Sequence, residues 1–240
     1  MSERSAFNEP LWTLEHGHGV RDWEVETLYE RPVSSSVGVE EGLMIMISKL
    51  VHMTRSFSPG FSGSPVTDAS TFLKLAEDVR EQSQILTNML FSLSKEEKPS
   101  NSLARLPFHL ERVAHMLKNI LDCHRAKTLS GIRFSDKAHR EQQQIFALLL
   151  DILNNLRDAL QNPRREALLA VLLQGKRLEQ MIVEFNGTHG ERLLNASTDE
   201  GSIMWHEILA SMKWANAYLM QMASNLLYLR QTAESPRPHV

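Results

Sequence analysis

A single cysteine, Cys123, stands among 240 residues. Neither an internal disulfide nor a multi-cysteine zinc site can be assembled from it, and such sparing use fits a reducing compartment. Basic excess is missing too. The 26 Lys and Arg face 29 Asp and Glu, a formal net charge of -3, so no bulk basic field exists to hold nucleic acid and none is expected as a partner. Long apolar runs are also lacking: GLMIMISKLV stops at Lys49, well short of the roughly 18 uninterrupted apolar residues that span a bilayer. The start, MSERSAFNEPLWTLEHGHG, has neither the basic flank nor the apolar run of a signal peptide. A soluble, cytoplasmic chain is the expectation, and on it Asn186-Gly-Thr and Asn195-Ala-Ser are incidental matches to glycosylation acceptors. No Gly-rich phosphate loop, nucleophile elbow or pair of helical Glu-x-x-His motifs of the di-iron kind is present. Cys123 and His124 are neighbours that a helix points about 100° apart, which does not make a nucleophile and its base. No enzymatic activity is expected.

What is present is helical periodicity. Length alone leaves one large domain or two small ones open. Residues 1–37 mix Trp12, Trp23, His16, His18 and Pro32 with Gly and Ser and read as an N-terminal extension, irregular or partly disordered. Beyond it, VEEGLMIMISKLVHMTRSF sets Leu43, Ile47, Leu50, Val51 and Met53 near one face, and SPGFSGSP ends it. Thr67 and Asp68 can cap ASTFLKLAEDVREQSQILTNMLFSL, in which Phe72, Leu75, Val79, Ile85, Leu86 and Met89 recur at helical spacing. KEEKPSNS reads as a polar loop, and a third helix is predicted from Leu106 to Lys127 with Pro107 in its first turn. After TLSGIRFS, Ser135 can cap a fourth helix, DKAHREQQQIFALLLDILNNLRDALQ. Asn162-Pro163 closes it and opens a fifth, REALLAVLLQGKRLEQMIVEFNGTHGERL, and past the loop NASTDEG a sixth starts at Met204. No stretch alternates with period two, so no sheet is expected. Helical methionines such as Met44, Met46, Met53, Met89, Met116, Met212, Met220 and Met222 read first as core fillers.

Six helices in two triplets are compatible with antiparallel packing around a shared interior. The segment LERVAHMLKNI then adds a resemblance: it is similar to the third-helix signature of the PhoU family, with Leu110, Glu111, Arg112, Val113, Asn119 and Ile120 in register. EQMIVEFNGTHGERL resembles the end of the fifth helix in the PhoU-like tails of sodium–phosphate cotransporters, through His189, Glu191, Arg192 and Leu193. The likeness runs from about Val39 to Leu229. It implies an all-α fold of six helices as two similar antiparallel three-helix bundles. The expected divisions are an extension over 1–37, a first bundle over 38–130, a second over 131–232 and a flexible tail over 233–240.

The resemblance also implies a role, that of a regulator or adaptor in phosphate uptake or phosphate signalling. It would act by binding phosphate transporter or sensor kinase components, as a homo-oligomer, and would meet a membrane only through a partner or a missing transmembrane part. A close alternative is the soluble cytoplasmic domain of a sodium–phosphate cotransporter, and a helical scaffold unrelated to phosphate is a further one. Family members hold transition metals with acids one turn apart on the two signature helices. Here Glu111 is retained but His115 stands where an aspartate is expected, and Lys213 and Ala217 replace both acids of the second motif. That departure argues against a family-type cluster. Glu111 and His115 remain as a degenerate site for one divalent transition metal, the basis of a third alternative, a metal-binding helical protein; no other cofactor is expected. The plainer reading of the same residues is a polar stripe of Glu111, His115, Lys118 and Asp122 beside a core stripe of Leu110, Val113, Ala114, Leu117 and Leu121. His16 and His18 form a second, weaker pair of potential ligands.

Overall fold

The computed structural model describes residues 38–57, 69–93, 101–162, 164–193 and 200–234. Among them there are six long helices and no strand: α1 (Val39–Arg55), α2 (Ala69–Leu93), α3 (Leu106–Leu129), α4 (Asp136–Gln161), α5 (Arg165–Leu193) and α6 (Glu200–Glu234). The all-α expectation therefore holds. The extension over 1–37, the caps Thr67 and Asp68, most of KEEKPSNS, and residues 235–240 of the expected tail lie outside the described residues.

Two helix starts differ from those predicted, and α3 ends at Leu129, two residues beyond the predicted Lys127. One helical turn, Asn101–Ala104, precedes α3 within what the sequence suggested was loop. It breaks at Arg105 because Pro107 has no N–H to give to the carbonyl four residues back, so Pro107 occupies the first turn of a new helix instead. At the other end of the chain, α6 begins at Glu200 rather than Met204, and Gly201 is already buried.

Local chemistry accounts for the ends. The Ser135 side chain accepts a hydrogen bond from the Ala138 N–H at 3.2 Å, the expected cap of α4. Helix α3 stops in a Schellman turn: Ile132 N–H donates to the Lys127 carbonyl at 3.0 Å and Gly131 N–H to that of Thr128 at 3.2 Å. Gly131 takes φ 66°, which a side chain would resist. That turn carries the chain from the first triplet into the second.

Packing follows from which helix is apolar all round. From Gly42 to Val51 every residue of α1 is buried, as expected for a helix enclosed by neighbours, and α1 packs against α2, α3 and α4. Gly42 lies against Leu86, Lys49 against Asp78 and Phe57 against Phe72, so α1 and α2 are antiparallel. Phe57 also stacks on Phe146 of α4, with ring centroids 4.8 Å apart. Within the second triplet α4 pairs with α5 and α5 with α6, and the triplets meet through α1 on α4 and, most extensively, α3 on α6. One continuous apolar core runs through all six helices.

Two glycines inside helices mark close approaches. A Cβ on Gly42 would lie 2.6 Å from a Leu86 methyl, and one on Gly175 of α5 would lie 2.5 Å from Met220 Cγ. The second approach also lets Asn216 of α6 donate to the Gly175 carbonyl at 2.8 Å.

Candidate functional site

Helices α3 and α6 run antiparallel, since His109 neighbours Asn225 near one end and Cys123 meets Glu207 near the other. The core stripe expected on α3 is buried in full: Leu110, Val113, Ala114, Leu117 and Leu121. Glu111 is half-buried and His115 exposed, one turn apart on the outward side. Next to them Lys118 and Asp122 form a 3.0 Å ion pair four residues apart, one of the pairings of the plainer reading.

Glu111 and His115 supply one carboxylate and one imidazole. No group of three or more His, Cys, Asp or Glu is placed to hold a metal ion among the described residues. Two donors fall short of the three protein ligands that even an open zinc site uses. On α6, Lys213 and Ala217 are both exposed. His16 and His18 lie outside the described residues, as do the side chains of His189, Glu191, Arg192 and Leu193, whose backbone forms the last turns of α5.

Three polar groups of α3 point inward: His109, Cys123 and His124. His109 is buried in the α3–α6 seam, with Nε2 3.5 Å from Asn225 Nδ2 and its ring 6.0 Å from that of Tyr218. Its Nδ1 has no hydrogen-bond partner among the described residues; burial, then the charge of Arg105, lowers its pKa. The Cys123 thiol donates to Glu207 at 3.3 Å. Burial, then the Glu207 carboxylate, pushes it up to about 12, so it is a poor source of thiolate at neutral pH. His124 turns the other way, 5.8 Å from Phe57, and burial, followed by Lys127 and His139, pushes it down to about 3.

One constellation was not anticipated. Arg112 lies over the Phe108 ring at 4.8 Å, Phe108 neighbours His109, His109 neighbours Tyr218, and Tyr218 neighbours Trp214. A basic and aromatic ladder thus crosses the α3–α6 seam. Its parts were present in the sequence as two i,i+4 pairs, Phe108 with Arg112 and Trp214 with Tyr218. Joining them required knowing that α3 and α6 are neighbours. Such a surface suits recognition, because Arg, Trp and Tyr carry much of the energy at interface centres.

Compared with family models, with curated proteins and with solved structures, the chain finds no match.

Proposed function

We propose that the chain is a PhoU-like regulator or adaptor that acts by binding a component of phosphate uptake or phosphate signalling, a transporter or a sensor kinase. The observation that carries this reading is the order of helix pairing: corresponding members of the two triplets, α1 with α4 and α3 with α6, pack on each other. A duplicated three-helix unit joined side by side has that pattern. The signature residues divide in a way that agrees with it. Leu110, Val113 and Ile120 are buried, whereas Glu111 and Arg112 remain at the surface for contacts. No described helix is long and apolar enough to cross a membrane, so these helices would meet a transporter from the aqueous side. Binding without catalysis, in the cytoplasm and as a homo-oligomer, completes the proposal.

The test is affinity capture of the full chain from its own cells under phosphate limitation, combined with deletion of its gene. Transporter or kinase components are expected among the captured proteins, and phosphate uptake should change in the deletion strain. Unchanged uptake together with capture of neither component would refute the reading.

A further inference from the structure

The ladder of Arg112, Phe108, His109, Tyr218 and Trp214 is open at both ends. Phe108 is 41% and Trp214 59% exposed, and successive ring centroids are 6.1, 6.0 and 6.4 Å apart. Its surroundings are cationic. Arg105 just before α3, Arg112 on α3 and Lys213 on α6 are exposed, and α6 has no acidic residue between Ile208 and Ala233. Glu111, the nearest acid on α3, lies within electrostatic reach of Arg80 on α2. An occupant that buries aromatic surface and answers this charge must be both apolar and acidic.

The chain carries such a segment. Residues 22–30, DWEVETLYE, interleave Asp22, Glu24, Glu26 and Glu30 with Trp23, Val25, Leu28 and Tyr29 and contain no basic residue. The start of α1 is well placed to deliver it. Gly42 faces Leu86 near the end of α2, while Phe57 at the far end of α1 approaches His124 near the far end of α3. Helices α1 and α3 are therefore parallel, and Gly38 and Phe108 lie at the same end of the molecule. Packed helices stand about 8–10 Å apart, and residues 31–37 can extend to roughly 24 Å at about 3.4 Å each.

We propose that residues 22–30 dock in cis on the Arg112–Phe108–Tyr218–Trp214 ladder, their acids facing Arg105, Arg112 and Lys213 and their apolar side chains covering Phe108 and Trp214. The contact is autoinhibitory in form: anything else that uses the α3–α6 face must first displace the extension. It holds whether or not the partner belongs to phosphate uptake, because it concerns the chain alone.

Photo-crosslinking tests it. A benzoylphenylalanine replaces Trp214 in the full-length protein, and products are separated by size and mapped by mass spectrometry. Crosslinks should concentrate on residues 22–30 within single chains. Arg112→Glu should lower their yield about two- to fivefold at low salt, the range of an exposed ion pair, and adding Glu24→Arg with Glu26→Arg should restore it. Arg112 is exposed, so a circular dichroism melt verifies that the variant stays folded; Lys213→Glu provides a second charge reversal. Crosslinks scattered over the surface, crosslinks to another copy, or a yield indifferent to both reversals would overturn the proposal.

Discussion

Cys123 and His124 are adjacent in the chain yet end in unrelated surroundings, the first against Glu207 of α6 and the second against Phe57 beyond α1. Their 100° separation was readable from helix geometry; the direction and size of their pKa shifts were not, because desolvation depends on what other helices bring. His124 is the more consequential. Its pKa of about 3 in the fold lies below the ordinary 6.5, so from about pH 6.5 down towards pH 3 the unfolded chain binds a proton that the folded chain refuses. Stability from this group is thus fully present above about pH 6.5 and is lost as pH falls, at up to about 1.4 kcal/mol per pH unit. His109 and His139 are lowered as well and act in the same direction. Urea titrations at pH 7 and pH 5 should show the loss, and His124→Phe, which keeps an aromatic ring beside Phe57, should flatten it; an equal slope in the variant would mean that other groups carry the acid sensitivity.

At the scale of elements, α1 shows how far a periodic pattern can be read. Leu43, Ile47, Leu50, Val51 and Met53 were expected on one face and are buried, but so is every other residue from Gly42 to Val51, including Lys49 at 1% exposure. Lys49 reaches Asp78 on α2 at 2.5 Å, and Asp78 is 24% exposed, so the ion pair touches solvent only through the acid. A lone lysine in an apolar run looks like the point where a helix turns to water. Here it fixes how α1 sits against α2, since sliding either helix would strand a buried charge. Asp78→Ala should cost about 3 kcal/mol of unfolding free energy because it leaves Lys49 unpaired. Adding Lys49→Met should recover most of that loss, and a double-mutant cycle by urea denaturation would measure the coupling. Gly42 and Gly175 carry the same lesson. Each looks like a weak point in a helix, and only the facing Leu86 and Met220 explain the missing side chain.

For the whole molecule, the core is continuous through both triplets, and the broadest helix pairing, α3 on α6, lies between them. Cooperativity should follow that continuity. Far-ultraviolet circular dichroism and intrinsic fluorescence should trace a single coincident urea transition, whereas two separated transitions would show that residues 38–130 and 131–232 unfold as independent units. Sequence alone determined the six helices, the cap at Ser135, the first-turn position of Pro107 and the inward stripe of α3, because each depends on residues within a few turns of one another. Tertiary structure decided the enclosure of Lys49, the opposed fates of Cys123 and His124, the two helix-crossing glycines and the ladder from Arg112 to Trp214. These arise where helices far apart in the chain approach within a side chain's length, and no local period encodes which helices those are.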